Sequence, residues 1–187
     1  MKLEKKATIT MYKNGTAPCS KQQKHIHNII GGKLNYPVDR CSLDIAFPNE
    51  MIYIEYDGSG HGWYDKKYLK DGHEIVQKKD MKRTFYLNSK GWKIIRILCV
   101  NDKLPNDNLI LNLLLISKQF LKNNNNSWVL IDFNKQIVSS NGIHNMSFPA
   151  WVSQKIAIDG KDPIPDNREE IEIIQEKIDN KYSTFDD

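Results

Sequence analysis

Residues 43–56 read Leu-Asp-Ile-Ala-Phe-Pro-Asn-Glu-Met-Ile-Tyr-Ile-Glu-Tyr, and this stretch decides the predicted fold. Apolar and polar side chains alternate over residues 43–47, as they do in a strand with one buried face. The Pro-Asn-Glu that follows is a turn sequence, and residues 51–56 are rich in the β-branched and aromatic residues that favour strands. The stretch therefore predicts an antiparallel β-hairpin.

Helical and strand patterns lie on both sides of this hairpin. Ser20 is a favourable N-cap, and Gln23 three residues later has the spacing of a capping box, so a helix is predicted to begin there and to end at a glycine pair. Downstream, the pattern predicts a helix over residues 71–90, a strongly apolar strand over 92–100 and a helix over 106–122. A hairpin followed by a helical crossover to a third strand predicts an α/β fold, a mixed sheet flanked by helices.

The two ends of the chain differ from this central region. Residues 1–18 are basic and polar, and we expect an N-terminal arm or a short strand. Residues 19–122 form the predicted core. After a run of four asparagines, residues 127–139 predict a small hairpin and residues 167–180 an exposed acidic helix. Residues 127–187 are therefore expected to add a C-terminal hairpin and an acidic helical tail to the core.

The composition restricts the class of protein. Of the 187 residues, 40% are apolar and 27% are charged, which is ordinary for a globular domain. No apolar run approaches the roughly 20 residues that a membrane-spanning helix needs, and the N-terminus lacks the pattern of a signal peptide. Three widely spaced cysteines do not make a disulfide framework. We expect a cytoplasmic protein that does not act at a membrane.

The net charge of +4 is unevenly distributed along the chain. Residues 1–155 carry a net charge of +10, and residues 156–187 carry −6. A basic body with an acidic tail is typical of a surface that binds a polyanion, and it is equally typical of a lysine-rich protein with solvated charges. The charge pattern permits a nucleic-acid partner and gives no indication of the oligomeric state.

Acidic residues within the predicted strands point to chemistry, because strands disfavour Asp and Glu. Asp44 interrupts the first strand, and Glu55 and Asp57 end the second on one face, since side chains alternate with period two. The hairpin can bring all three carboxylates together, where they would repel one another unless a cation stood between them. Asp44 and Glu55, assisted by Asp57, therefore predict a Mg²⁺ site of the kind that polarises a phosphoryl oxygen.

Further candidate residues follow the carboxylates in the sequence. His61 lies on a glycine-rich loop just after them and could transfer a proton. On the next predicted helix, Asp80 could orient His61 or a water molecule. Its basic neighbours Lys79, Lys82 and Arg83 could hold the phosphates of a nucleic acid. Each could also be an ordinary solvated side chain, and Gln23 could be no more than a capping residue.

The order and spacing of these residues resemble a known family. The segments are Ser-Lys-Gln-Gln at 20–23, Ser-Leu-Asp-Ile-Ala-Phe-Pro at 42–48 and Ile-Glu-Tyr-Asp-Gly-Ser-Gly-His at 54–61, followed by Asp80. They resemble the PD-(D/E)XK nuclease superfamily, and within it the very-short-patch-repair endonucleases and the phage homing endonucleases with an "EDxHD" motif. The resemblance implies a restriction-endonuclease-like sheet and hydrolysis of DNA with Mg²⁺, for which Mn²⁺ can substitute. It assigns catalytic roles to Gln23, Asp44, Glu55, His61 and Asp80.

Two positions depart from the family pattern. Gln23 stands where the family has a Glu, and Asp57 stands where the superfamily has a catalytic Lys. The departures favour an alternative, a DNA-binding accessory protein on a nuclease scaffold that does not cut. A purely structural protein is a second alternative. A zinc site built from Cys19, His25, His27 and Cys41 is disfavoured, because its spacing matches none of the common zinc modules.

Overall fold

The computed structural model describes residues 2–59, 73–123 and 126–153, which form five helices and seven strands with one 3₁₀ turn at Pro48–Glu50. The helices are Lys2–Lys13 (α1), Lys21–Ile30 (α2), His73–Ser89 (α3), Asp107–Asn123 (α4) and Phe148–Ser153 (α5). The strands are Lys33–Val38 (β1), Cys41–Phe47 (β2), Ile52–Asp57 (β3), Lys93–Leu98 (β4), Trp128–Asp132 (β5), Ile137–Ser140 (β6) and Ile143–Ser147 (β7).

All seven strands belong to one mixed sheet, in which spatial order follows sequence order from β1 to β7. The central pairs β3–β4 and β4–β5 are parallel, and the four outer pairs are antiparallel. The parallel pairs need crossovers, which α3 and α4 provide. The prediction of an α/β fold with a mixed sheet flanked by helices is confirmed. No helix in the described ranges is both long enough and apolar enough to cross a membrane.

Helices cover the two faces of the sheet over separate apolar clusters. On one face, Ile26 of α2 and Leu113 of α4 pack with Ile54 and Ile95 in the larger cluster. On the other face, which we call the α3 face, Leu87 of α3 belongs to a smaller cluster. The other members of the smaller cluster are Cys41, Leu43, Ala46, Tyr53, Trp92 and Ile94. The sheet lies between these two clusters, which together form the core.

The N-terminal segment differs from its prediction. Residues 2–13 form helix α1, where the sequence favoured an arm or a short strand. The β-branched run Thr-Ile-Thr at 8–10 has a local preference for strand. In the structure, Tyr12 packs edge-on against Tyr36 of β1, with 5.8 Å between the ring centroids. This contact packs the helix against the sheet. It joins segments that are distant in the sequence, so local propensity cannot predict it.

The segment after α4 continues the sheet. Strand β5 pairs in parallel with β4, and β6 pairs antiparallel with β5. Helix α5 then returns to α4, where Trp151 is fully buried against Phe120. The predicted acidic helix at residues 167–180 lies outside the described residues.

Candidate active site

A cleft of ≈ 380 Å³ lies at the carboxyl end of β3 and brings together residues that are distant in sequence. Of the residues predicted from the sequence, Gln23, Asp44, Glu55, Asp57 and Asp80 all line this cleft. We call it the carboxylate cleft. The full lining comprises Ser20, Gln22, Gln23, Asp44, Glu55, Tyr56, Asp57, Gly58, Ser59, Asp80, Arg83 and Asp102.

The alternation of side chains along β3 explains why two carboxylates face α3. Tyr53 packs in the apolar cluster on the α3 face, and Glu55 and Asp57 follow it at intervals of two residues. The α3 face thus changes from apolar to acidic toward the end of the strand. Both carboxylates are buried, with Glu55 and Asp57 about 6% and 5% exposed.

Asp44 enters the cleft from the part of β2 that lies opposite Asn35 of β1. In the pairing of β1 with β2, Leu34 lies opposite Ile45, and Tyr36 lies opposite Leu43. Asn35, between Leu34 and Tyr36 in the sequence, has a φ of +51°. The β2–β3 pairs begin at Ile45–Ile54. Just beyond them, the Asp44 carboxylate accepts a hydrogen bond of 3.0 Å from the backbone N–H of Tyr56. Asp44 therefore bridges two strands where their backbone ladder ends.

Arg83 of α3 holds Glu55 with two hydrogen bonds. Its guanidinium donates to the two carboxylate oxygens over 2.7 and 3.0 Å, and it also donates to the backbone carbonyl of Ser42. Burial raises the pKa of Glu55 to about 8, and the nearby Asp44 carboxylate adds to the rise, although Arg83 lowers it. Burial of the Glu55 carboxyl thus outweighs the effect of its pairing with Arg83 on the pKa.

Asp57 has its own cationic partner, Arg96 of the adjacent strand. The guanidinium of Arg96 donates to Asp57 over 2.9 Å, and its side chain is only 12% exposed. The parallel register pairs Arg96 with Glu55, so the guanidinium reaches Asp57 from the neighbouring position. Arg96 was not predicted from the sequence. Its signal was a charged side chain between the apolar residues Ile95 and Ile97 of β4.

These contacts bear on two of the predicted roles. A metal ion was predicted among the carboxylates, and the structure places the guanidinium groups of Arg83 and Arg96 against two of them, Glu55 and Asp57. Arg83 was expected to hold the phosphates of a nucleic acid, whereas its guanidinium is bonded to Glu55 and Ser42 in the cleft. Lys82, its neighbour, is exposed. Of Lys79 the structure describes the backbone alone, within α3.

Gln23 joins α2 to the strands beneath it. It completes the predicted capping box with Ser20, which confirms that interpretation. The Gln23 side-chain amide also donates to the side-chain oxygen of Asn35 over 3.0 Å and to the backbone carbonyl of Asp44 over 3.2 Å. Gln23 is 5% exposed, and so it positions the backbone of Asp44 from within the core.

Asp102, on the loop after β4, closes the opposite side of the cleft. Its carboxylate accepts a 2.8 Å hydrogen bond from the Tyr56 hydroxyl and a 3.2 Å bond from the backbone N–H of Ser59. A side chain at Gly58 would overlap the Asp102 carboxylate, so only glycine fits there. Asp102 was given no role from the sequence, because nothing in the local pattern links it to Tyr56.

The remaining predicted residues are placed as follows. Asp80 lines the cleft from the N-terminal half of α3. His61 lies outside the described residues. Where side chains are described, at residues 8–59, 80–122 and 126–153, no three His, Cys, Asp or Glu residues are grouped closely enough to hold a metal ion by themselves.

Comparison with known proteins gives no relative. No protein-family model, curated protein or solved structure matches the chain.

Proposed function

We propose that the protein is a divalent-metal-dependent endonuclease that hydrolyses phosphodiester bonds of DNA. One observation carries the proposal: Gln23, Asp44, Glu55, Asp57 and Asp80 line the same cleft. They come from α2, β2, β3 and α3, and their order in the sequence resembles that of the PD-(D/E)XK nucleases. Chain proximity alone does not bring together residues that are 57 positions apart in the sequence.

The cleft residues fit Mg²⁺ in donor type. Asp44 and Glu55, with Asp57, would hold the ion, and Mn²⁺ would substitute for it. Carboxylate oxygens are the donors that these ions prefer. The bound ion would polarise a phosphoryl oxygen and acidify a water molecule. The Arg83 guanidinium would then either keep a hydrogen bond to Glu55 beside the ion or lose both of its bonds to Glu55.

The other proposed roles belong to the protein's own side chains. Gln23 positions the backbone of Asp44 through its amide. His61 would transfer a proton, and Asp80 would orient His61 or a water molecule. Cys19, Cys41 and Cys99 are free thiols, which supports a reducing, cytoplasmic site of action.

Plasmid cleavage tests the proposal directly. With Mg²⁺ or Mn²⁺, the wild-type protein should nick or linearise supercoiled DNA, and EDTA should stop the reaction. Asp44→Asn keeps an oxygen that can accept from Tyr56 and removes the charge, so cutting should fall by at least about 100-fold while the fold is kept. The matched control is Asp107→Asn, an exposed carboxylate outside the cleft lining. Undiminished cutting by Asp44→Asn would refute the metal assignment.

A second candidate is a DNA-binding accessory protein that does not cut. The observation that favours it is the pairing of Glu55 with Arg83 and of Asp57 with Arg96, since both carboxylates already have cationic partners. Under this alternative, calorimetry would detect no Mn²⁺ binding at the cleft. The protein would still bind DNA with strong salt dependence, and it would leave plasmid intact in either metal.

A further inference from the structure

Helix α3 has two faces with different chemistry. Asp80, Arg83 and Leu87 point inward, to the carboxylate cleft and the core. Lys82 and Phe85 are exposed, and three residues apart on a helix they are surface neighbours. The side of α3 turned away from the cleft therefore carries a ring and a positive charge side by side.

Phe85 is the most exposed of the large apolar side chains that the structure describes, at 54%. A partner that covers this ring would gain free energy, because it would remove apolar area from water. Leu115 of α4, at 47%, is comparably exposed and provides an internal reference.

Two more cations contact the ring of Tyr86, which follows Phe85 in the sequence. The guanidinium of Arg40, from the β1–β2 turn, is 5.9 Å from the centroid of the Tyr86 ring, and the Lys90 ammonium is 5.7 Å from it. Both side chains are exposed, and cation–π contact holds them at the surface. One acidic group faces the same ring, since the Tyr86 hydroxyl donates to Asp39 over 2.6 Å.

We call the surface that these side chains form the outer face of α3. Its residues are Arg40, Lys82, Phe85, Tyr86 and Lys90. It offers three cations and an exposed aromatic ring, and among the described residues Asp39 is bonded to Tyr86 there. Cations bind phosphates, and an exposed ring stacks on a nucleobase whose own face is accessible. In a continuous duplex the base faces are covered by their neighbours. The combination therefore fits nucleic acid with unpaired bases better than intact duplex.

We propose that the outer face of α3 binds a single-stranded or locally opened stretch of nucleic acid, with a base stacked on Phe85 and phosphates held by Arg40, Lys82 and Lys90. The inference deepens the proposed function, because it specifies the form of the substrate, and it rests on that function for the nature of the partner. A helix is about 10–12 Å across, so a strand on this face reaches the carboxylate cleft within a few nucleotides.

Binding in EDTA tests the inference without any contribution from cleavage. Fluorescence anisotropy would measure the affinity for a labelled single strand and for a blunt duplex of the same sequence. Phe85→Ala should weaken single-strand binding by about 10-fold or more and should change duplex binding by less than about twofold, since the base loses the ring on which it stacks. The matched control, Leu115→Ala, should leave both affinities unchanged.

Two further variants separate stacking from charge. Phe85→Trp should restore single-strand affinity, and its added indole emission should be quenched when the oligonucleotide binds. Lys82→Gln should weaken binding to both forms and should reduce the dependence of affinity on salt, because one phosphate contact is lost.

The inference is overturned if Phe85→Ala binds the single strand as tightly as the wild-type protein. It is also overturned if polyglutamate competes as effectively as the oligonucleotide, which would indicate an acidic protein partner. Binding that depends on Phe85 without any cleavage in Mg²⁺ would support this inference and refute the nuclease. Cleavage without that dependence would do the reverse.

Discussion

Glu55 and Arg83 form the central pair of the carboxylate cleft, and both are shielded from water. The Glu55 side chain is 8% exposed and that of Arg83 is 26% exposed. A buried pair of this kind gains little over an apolar pair, because both ions lose their hydration. Removal of one partner is a different matter, since it leaves the other charge uncompensated.

Arg83→Met should therefore destabilise the protein strongly. We expect a loss of about 1–3 kcal/mol in the free energy of unfolding, because the Glu55 carboxyl and the Ser42 carbonyl would lose the hydrogen bonds that the Arg83 guanidinium donates. Urea denaturation followed by circular dichroism would measure it. The neighbouring Lys82→Met is the matched control, and this exposed position should change stability by no more than about 0.5 kcal/mol. Equal effects of the two variants would contradict the pairing.

The pH dependence of stability follows from the same carboxyl group. The pKa of Glu55 is raised from 4.5 to about 8 in the folded protein, so the folded state binds this proton more tightly than the unfolded chain does. Its contribution to stability is therefore fully present below about pH 4.5 and is lost as the pH rises to about 8. Urea titrations across this range, in EDTA, should show a steeper fall for wild-type protein than for Glu55→Gln. Parallel curves would show that Glu55 does not titrate there.

At this scale, the sequence predicted which acids converge but not what accompanies them. The period-two rule places Glu55 and Asp57 on one face, and both line the cleft. The guanidinium partners depend on the parallel register of β3 with β4 and on the rotation of α3 about its axis. Neither is encoded in a local pattern, so Arg96 was missed and Arg83 was given an outward role.

Helix α2 illustrates what local signals determine at the scale of an element. The capping box and the glycine after the helix gave its two ends correctly. Strand β1 was missed because Pro37 and the left-handed Asn35 interrupt its pattern, and β7 was missed because His144 and Asn145 make it polar and exposed. These two strands are defined by the neighbours with which they pair.

Gln23→Glu tests whether α2 is fastened to the strands through the amide. A carboxylate cannot donate to Asn35 and to the Asp44 carbonyl, so two buried acceptors would lose their donor. We expect a loss of about 1–3 kcal/mol at pH 7. Gln22→Glu on the same helix is less buried and should cost less. Thermal melts of both variants would make the comparison, and an unchanged melting temperature for Gln23→Glu would refute the role.

At the scale of the whole molecule, all the strands that the structure describes belong to one sheet. The β4–β5 pairing joins residues 128–147 to the strands that carry the cleft. The larger apolar cluster extends from Ile26 of α2 to Trp151 of α5. From the sequence, this last segment was predicted to lie outside the core, because the asparagine run resembled a linker. A parallel pairing across such a run has no local signature.

Trp151→Ala should consequently weaken the entire fold and not just its end. Trp151 packs edge-on against Phe120, with 5.1 Å between centroids, and its indole N–H donates to Ser117 over 3.3 Å. Its removal should cost about 3–5 kcal/mol, whereas Leu115→Ala on the exposed side of α4 should cost less than about 1 kcal/mol. Urea transitions monitored by circular dichroism and by the fluorescence of the remaining tryptophans should coincide, because one sheet and one core unfold together. Two separate transitions, with the earlier one alone shifted by the substitution, would mean that residues 127–153 unfold independently and that the cleft does not depend on them.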